Sequence, residues 1–255
     1  MHESALESLP DFAGDNYLDL LDRLHRQLRP KSYVEIGTAA GDSLALARCA
    51  SLAVDPNFTL SSAAPVSNKP LCALYQMPSD KFFATVDPTV VLGRRIDLAF
   101  LDGMHLSEFL LRDFLNVERF CHSNSVIVLH DCLPLHHIMA KRKHSNDRQL
   151  HPHRMHWWTG DVWRCALLLK RRRRDLRIIA VDAPPTGLVL ITNPDPSSTF
   201  LSEYPSLVKK MHAFFLRDLT LTGLHRELNV ESTSALKLDE ISLEARRPRS
   251  EAKVV

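Results

Sequence analysis

The chain has 255 residues, of which 45% are hydrophobic and 24% are charged, and its formal net charge is +2. This composition is typical of a globular protein with a sizeable core, and the length allows one large α/β domain or two small ones. The small net charge argues against a strong overall field for nucleic acid or an anionic membrane. Five cysteines without a CxxC pair favour a reducing compartment over a disulfide framework.

The first residues, MHESALESLPDFAGD, have neither the basic flank nor the apolar centre of a secretory signal. No run of the sequence approaches the roughly 18 apolar residues that a membrane helix needs. We therefore expect a cytoplasmic protein without a membrane anchor.

Residues 15–28 predict an amphipathic helix that Asp15 caps and Pro30 ends. Its apolar stripe consists of Leu18, Leu21, Leu24 and Leu28. Short apolar runs then predict five strands, at 33–37, 51–55, 71–77, 96–102 and 125–131. The intervening segments 38–50, 79–91 and 107–121 predict helices. Alternation of this kind implies right-handed crossovers and a parallel sheet.

The C-terminal third differs from this pattern. A helix is predicted from Gly160-Asp161 to Leu169, with Asp161 as its N-cap. Residues 176–192 predict a hairpin of two further, antiparallel strands. A helical segment follows at 203–229. Residues 231–255 are polar with little periodicity and are predicted to be a disordered tail behind a single domain of residues 1–230.

Each predicted parallel strand is followed by a glycine or an acid at the edge where open sheets bind ligands. These residues are Gly37, Asp55, Asp80, Asp102 and Asp131. In the first turn, Gly37 and Gly41 are four residues apart, which argues against the G-x-G-x-x-G spacing of an NAD-dependent oxidoreductase. The predicted helix behind this turn would offer its N-terminus to a carboxylate, and Asp55 stands where an acid binds both ribose hydroxyls.

Five motifs in chain order resemble those of class I S-adenosylmethionine-dependent methyltransferases. They are VEIGTAAGDSLALA, AVDPNF, MPSDKFF, IDLAFLDGMH and SVIVLHDCLP. Together with GDVWR and APPTGLVLIT, they are most similar to the small-molecule O-methyltransferases that use a divalent metal. The resemblance covers about residues 15–195, with a core at 31–195. It implies a Rossmann-like, doubly wound, mostly parallel sheet of seven strands with an antiparallel C-terminal hairpin.

The resemblance also implies where S-adenosylmethionine would bind. Asp55 would bind the ribose, Ser79 and Asp80 would lie against the adenine, and Asp102 would border the same site. The methionine part would be held by Glu35, Gly37, Thr38, Ala39, Gly41 and Ser43. Relatives often have a further glycine where this chain has Ala39 or Ala40. Alanine fits there if its φ stays negative, so we expect a narrower loop.

Asp102 alone would be read as a turn or cap residue before the helix at Ser107. However, Asp102 and Asp131 follow neighbouring strands, and two adjacent carboxylates repel unless a cation or a proton joins them. By the resemblance, Asp102, His130 and Asp131 would hold a divalent metal such as Mg²⁺ or Mn²⁺, and His105 would be the general base with Asp102 at the catalytic centre. Relatives often have glutamate at position 130, or an asparagine after the aspartate. A histidine there is a poorer Mg²⁺ ligand and suits Mn²⁺, Fe²⁺ or Zn²⁺ better.

We therefore predict an O-methyltransferase for a hydroxyl of a small molecule or sugar. One alternative is a cofactor-binding protein whose catalytic site has decayed, for which His130 is the only sequence indication. Another is an RNA methyltransferase, supported only by KRRRR (170–174) and the pI of 8.3. That basic run falls at a helix C-terminus, where cations are stabilised by the helix dipole, so a solvated helix end is the better interpretation and a nucleic-acid partner is not expected.

Two further features leave alternatives open. The histidine-rich segment 136–158, with Trp157 and Trp158, is interpreted either as a lid over the acceptor site or as a surface loop. Cys132 has no obvious partner base and is predicted to be a buried thiol. The N-terminal helix and the segment 203–229 are candidate contacts of a homodimer.

Overall fold

The computed structural model describes residues 7–144 and 150–244. Its strands are β1 (Ser32–Ile36), β2 (Ala50–Val54), β3 (Cys72–Tyr75), β4 (Ile96–Leu101), β5 (Cys121–His130), β6 (Arg177–Val181) and β7 (Leu188–Thr192). They form one seven-stranded sheet in the order β3-β2-β1-β4-β5-β7-β6. The five strands from β3 to β5 are parallel, whereas β7 pairs antiparallel with both β5 and β6. The predicted fold class and the C-terminal hairpin are confirmed.

Helices cover both faces of the sheet. They are α1 (Tyr17–Leu28), α2 (Ser79–Thr85), α3 (Pro88–Leu92), α4 (Ser107–Phe120), α5 (Trp163–Arg172), α6 (Tyr204–His212), α7 (Leu216–Leu219), α8 (Leu221–Leu228) and α9 (Leu238–Glu244). One face packs on α4, α5, α6 and α8, and the other packs on α1 and α9. The domain is therefore doubly wound. Among the residues described, no helix combines the length and apolarity needed to cross a bilayer.

The predicted helix at 38–50 is wrong. Only one 3₁₀ turn forms there, at Leu44–Leu46, and the chain is already extended at Ala47 before β2 begins at Ala50. The ammonium group of Lys69 donates hydrogen bonds to the carbonyls of Leu44 (2.9 Å) and Ala47 (2.5 Å), which an α-helix would otherwise use. The described residues behind the turn after β1 therefore lack the predicted helix N-terminus.

Two predicted helix caps are also wrong. The N-cap of α1 is Asn16, whose side chain accepts from the Leu18 N–H at 2.9 Å, and not Asp15. Asp161 does not cap its own helix α5. Its carboxylate instead accepts a hydrogen bond from the Ser107 N–H at 2.9 Å and so caps α4 from across the fold. A long-range cap of this kind stabilises a helix start as a local one does.

The first part of the predicted disordered tail is structured. Residues 231–244 run along the edge strand β6, where the Asp182 N–H donates to the Glu231 carbonyl at 3.0 Å, and then form α9. Thr233 and Ile241 are fully buried. Because the connection after β1 contains no α-helix, α9 supplies apolar cover on that face of the sheet. Residues 245–255 lie outside the described residues.

The basic run 170–174 is not simply a solvated helix end, because two of its arginines form ion pairs within the fold. The guanidinium of Arg173 is 2% exposed and forms an ion pair with Glu118, also 2% exposed, at 2.6 Å. Arg171 pairs with Glu227 at 2.5 Å, whereas Arg172 and Arg174 are exposed. Carboxylates thus neutralise Arg171 and Arg173, which weakens the case for this run as a phosphate-binding surface.

The first described residues form hydrogen bonds with α8 and with Arg154 of the segment 136–158. The Glu7 carboxylate accepts from the Leu221 N–H at 2.6 Å, which places residue 7 at the start of α8. Asp11 accepts from Nε of Arg154 at 2.7 Å. Behind this contact, a small apolar cluster joins the two segments through Leu9, Phe12, Leu135, Ile138, Met139, Leu150 and Trp157.

Candidate functional site

The turn after β1 is built around Gly37. Its N–H donates to the Val54 carbonyl at 2.9 Å, its φ is 85°, and a Cβ at this position would lie 2.0 Å from the carbonyl oxygen of Asp102. Only glycine allows both this φ and this approach to the end of β4. Ala39 has a φ of 44°, so the expectation of a negative φ at this position is wrong. The left-handed conformation at Ala39 turns its N–H to the Asp55 carboxylate, with a distance of 2.8 Å.

Replacement of Gly37 by alanine is expected to lower the free energy of unfolding by about 3 kcal/mol or more, because the new Cβ must displace backbone as well as strain φ. Gly93→Ala is a matched control, since Gly93 has a φ of 68° but no atom within 4 Å of the added Cβ. Its expected loss is about 1 kcal/mol, from φ alone. Urea unfolding measures both values, and equal losses would contradict the close approach at Gly37.

A cavity of about 530 Å³ opens at the carboxyl ends of β1, β2 and β4. This volume lies in the range of small-molecule and cofactor sites. Six of the ten predicted cofactor residues line it: Gly37, Ala39, Asp55, Ser79, Asp80 and Asp102. The other four, Glu35, Thr38, Gly41 and Ser43, lie in or next to the turn and are not part of the lining.

Two carboxylates in and beneath this cavity differ in the hydrogen bonds that their oxygens accept. The Asp55 carboxylate accepts from the N–H groups of Ala39 and Asn57, at 2.8 and 2.7 Å, and each oxygen keeps a further lone pair for a ribose hydroxyl. Glu35 is fully buried beneath the turn, and Tyr33 donates its hydroxyl to Oε2 at 2.5 Å. Burial raises the pKa of Glu35 to about 7. The side chains of Tyr33, Thr38 and Ser43 donate to this carboxylate and oppose the effect of burial, so Glu35 ties the turn together from beneath.

Two carboxylates and two imidazoles meet at one end of the cavity. Nε2 of His105 lies 3.1 Å from Oδ2 of Asp131 and 3.6 Å from Oδ1 of Asp102. Nδ1 of His130 lies 3.1 Å from Oδ1 of Asp102 and 3.4 Å from Oδ2 of Asp131. The structure thus brings together all four residues predicted for catalysis and metal binding. Within the described part of the chain, Asp102, His105 and Asp131 each offer a ligand atom within 4.8 Å of the others.

His105 has one nitrogen available for chemistry. Its Nδ1 lies 2.6 Å from the Trp158 carbonyl oxygen, which can only accept, so Nδ1 carries a hydrogen and donates it. The remaining nitrogen, Nε2, faces Asp131 and Asp102. The ring also stacks on Trp158, with centroids 5.1 Å apart. Gly160 permits this arrangement, because a Cβ there would lie 1.7 Å from the His105 carbonyl oxygen.

The charges of this cluster are strongly coupled. Burial alone would lower the pKa of His105, but the carboxylates of Asp131 and Asp102 outweigh it and raise the pKa to about 9. The pKa of His130 is also raised, against burial, by Asp131 and then Asp102. The pKa of Asp131 is lowered by both imidazoles although burial opposes this. With only these neighbours, His105 holds its proton at neutral pH.

Three contributors to the cluster were not identified from the sequence. Thr186 donates its hydroxyl to Oδ1 of Asp131 at 2.5 Å and holds that carboxylate from the hairpin turn. Tyr17 of α1 stacks on His130 with ring centroids 4.4 Å apart. Trp158 fixes His105 as described above. The sequence signal for Thr186 is its place in the APPTGLVLIT motif, whereas Tyr17 carries none, because its contact depends on how α1 packs.

The described parts of the segment 136–158, residues 136–144 and 150–158, lie beside the site. Arg142 donates to Asp161 at 2.7 Å and forms a fork with Glu108, at 2.6 and 2.9 Å. Of the two tryptophans, Trp158 reaches His105, whereas Trp157 packs in the apolar cluster under the N-terminal residues. These ion pairs of Arg142 tie the segment to α4 and to Asp161, just before α5 begins.

Comparison with known proteins agrees with this geometry. Residues 34–132 match the family model of a methyltransferase domain. The O-methyltransferase TomG from Streptomyces achromogenes, involved in tomaymycin synthesis and solved with SAM, superposes with a TM-score of 0.52 at 16% identity, over 70% of this chain and 79% of that chain. The cofactor-bound protein Rv0187 from MTB gives 0.51 at 15% identity, over 70% and 79%. No curated protein sequence matches the chain.

The chain has the fold of these methyltransferase structures, and its ordered strand ends resemble those of class I S-adenosylmethionine-dependent methyltransferases. The match at 34–132 covers β1 to the residues just after β5, which is the segment that carries the cavity. The resemblance found in the sequence motifs is thereby confirmed.

Proposed function

We propose that the protein transfers the methyl group of S-adenosylmethionine to a hydroxyl oxygen of a small molecule or sugar. The observation that carries the proposal is the position of His105, whose Nε2 faces Asp131 and Asp102 at the rim of the cavity. A methyl sulfonium is already activated, so the enzyme has to align the acceptor with it and accept the proton of the hydroxyl.

Each residue of the cluster has a part in this chemistry. In its neutral form, which its raised pKa places at alkaline pH, His105 accepts the acceptor's proton at Nε2, and the Trp158 carbonyl keeps the other nitrogen protonated. Asp131, fixed by Thr186, orients the ring and stabilises the imidazolium that forms. In the proposed cofactor site, Glu35, Gly37 and Ala39 bind the methionine part and Asp55 binds the ribose.

The residues also fit a divalent metal. Oδ1 of Asp102 and both ring nitrogens of His130 are buried and have no partner with hydrogen-bond geometry among the described residues. Two carboxylates and an imidazole with unused lone pairs are a donor set for Mn²⁺, Fe²⁺ or Zn²⁺ more than for Mg²⁺. We assign the ligands to Asp102, His130 and Asp131. A bound cation would offset the two carboxylate charges and lower the pKa of an acceptor hydroxyl.

This assignment follows from the hydrogen bond of His105. Because Nδ1 donates to Trp158, Nε2 can serve either as a base or as a metal ligand, but not as both. His130 has no such restriction, and we therefore assign the metal to His130 and the proton to His105.

Titration calorimetry with S-adenosylmethionine and with NAD tests the cofactor, and repetition with MnCl₂ or MgCl₂ tests the metal. We expect heat with S-adenosylmethionine and none with NAD, and heat with Mn²⁺ that Asp102→Asn reduces. A panel of sugars and phenols, followed by S-adenosylhomocysteine formation, tests the acceptor class. Absence of binding to S-adenosylmethionine would refute the function, and binding of the cofactor without methyl transfer to any acceptor would favour the decayed alternative.

A further inference from the structure

A second cavity, of about 410 Å³, opens at the other end of β1 from the proposed cofactor site. Its walls are formed by the C-terminal part of α1, by the two residues before β1 and by the region around the 3₁₀ turn. Its charged and polar lining residues are Asp22, His25, Arg26, Arg29, Lys31 and Arg48. Four cations thus face one acid, in a chain whose formal net charge is +2. The sequence analysis gave none of these residues a role.

Three of the four cations have no carboxylate partner among the residues described. Arg26 pairs with Asp22 at 2.6 Å. Arg48 donates to two backbone carbonyls, and neither Arg29 nor Lys31 forms an ion pair with the described residues. A helix C-terminus favours nearby cations, which accounts for Arg26 and Arg29. It does not account for Lys31 and Arg48, which come from outside α1 and line the same cavity.

His25, in the wall of this cavity, has unused hydrogen-bonding capacity. The residue is 7% exposed, and neither Nδ1 nor Nε2 has a hydrogen-bond partner among the residues described. Its ring packs edge-on against Tyr33, with the centroids 4.9 Å apart. Burial, the Lys69 ammonium and the Arg48 guanidinium lower the pKa of His25 to about 4, against the carboxylate of Asp22. The imidazole is therefore neutral at neutral pH and has one N–H to donate. A buried polar group of this kind is costly unless a ligand supplies its partner.

A phosphate group matches these donors better than a carboxylate does. Guanidinium forks donate two parallel hydrogen bonds to such anions, and a lysine adds a point charge. A phosphate monoester carries up to two negative charges and three acceptor oxygens, so several cations and the His25 N–H can share it. A carboxylate has one charge and two oxygens. The volume suits a small molecule, and the cations surround one cavity instead of forming the stripe that a nucleic-acid backbone follows.

We propose that this cavity binds the phosphate group of a small molecule, with Arg29, Lys31 and Arg48 as charged donors and His25 as a neutral donor. The site is separate from that of methyl transfer, because the length of β1 lies between the two cavities. The proposal is therefore independent of the proposed function, and either can fail without the other.

Calorimetry with inorganic phosphate and with glycerol 3-phosphate, at pH 7.5 and constant ionic strength, tests this site. We expect both compounds to bind the wild-type protein. His25→Phe keeps a flat ring against Tyr33 but loses the donor, and is expected to weaken binding at least about tenfold, the usual effect of a hydrogen bond to a charged group. Lys31→Met and Arg48→Met are each expected to weaken binding about threefold, because solvent partly screens these charges.

Two further variants separate the site from general charge effects and from folding. Arg172→Met removes one positive charge at the end of α5 and is expected to bind both compounds as the wild-type protein does. Asp22→Asn removes the acid of the cavity and releases Arg26, so that binding is expected to tighten at least about twofold. A misfolded protein could not produce this gain.

Absence of heat with both compounds would refute the site, and so would equal weakening by Lys31→Met and Arg172→Met. A single-stranded oligonucleotide is the third ligand in the test. If it bound more tightly than glycerol 3-phosphate and Lys31→Met weakened its binding, the small-molecule assignment would be refuted in favour of nucleic acid. Methyl transfer is measured separately, and none of these outcomes bears on it.

Discussion

Replacement of His105 by alanine is expected to lower the rate of methyl transfer by about 10²–10⁴-fold, the usual contribution of a general base. Binding of S-adenosylmethionine is expected to change less than about threefold, because one interaction lost at the rim leaves the cofactor contacts of the turn in place. The measurements are S-adenosylhomocysteine formation with an accepted substrate and calorimetry with the cofactor. The pattern separates proton transfer from cofactor binding.

His122→Ala is the matched control for this variant. His122 also pairs with an aspartate, as its Nε2 lies 2.8 Å from Asp97. This pair, however, lies at the amino ends of β4 and β5, whereas the cavity lies at the carboxyl ends of the strands. Loss of that histidine is expected to leave turnover close to wild type. A His105→Ala protein with wild-type turnover would remove the base assignment, and one that no longer binds the cofactor would reassign His105 to the cofactor site.

Arg173→Met is expected to lower the free energy of unfolding by about 3–5 kcal/mol. The reason is the partner left behind, since Glu118 would remain as a buried carboxylate without its cation. From the described residues, Glu118 would keep the N–H of Asp195, which donates to it at 2.9 Å. Denaturation in urea, with the midpoint and slope both fitted, measures the change.

The neighbouring Arg172 provides the comparison. Arg172 is exposed, and Arg172→Met is expected to change the free energy of unfolding by no more than about 0.5 kcal/mol. The double variant Glu118→Met, Arg173→Met is expected to recover part of the loss, because it removes the unpaired charge as well. If Arg172→Met and Arg173→Met lowered the free energy of unfolding by the same small amount, the ion pair of Arg173 would not contribute to stability.

The strands and their ends could be predicted from the sequence because buried parallel strands are continuous apolar runs, and the residue after each run falls on one edge of the sheet. Asp102 and Asp131 lie close together because they follow the neighbouring strands β4 and β5. Local preference failed where another part of the chain supplied the partners. The segment 38–50 has helical composition, yet Lys69 binds its carbonyls and Asp55 holds Ala39 in a left-handed conformation.

Several contacts of the site could not be predicted either, because the partners are far apart in the sequence. Asp161 has the composition of an N-cap, but its carboxylate serves Ser107, whose N–H is more than fifty residues away in the chain. Tyr17 and Trp158 reach the imidazoles through packing of α1 and of the segment 136–158, which no spacing rule describes. Their roles follow from three-dimensional contacts between elements that the sequence separates widely.

The attachment of the first described residues to α8 has a consequence for biosynthesis. Glu7 and Asp15 find their partners at Leu221 and Thr233, so the first described residues are fixed by segments that a ribosome makes more than 200 residues later. Chains elongate at about 5–20 residues per second, and α1, with Tyr17, would wait some seconds after the sheet is complete for these partners to emerge. We expect a nascent chain that ends near residue 195 to contain the cofactor cavity but an unfinished imidazole cluster. Competence for methyl transfer would then appear only after the segment that contains Leu221 and Thr233 has emerged, and not with completion of the sheet.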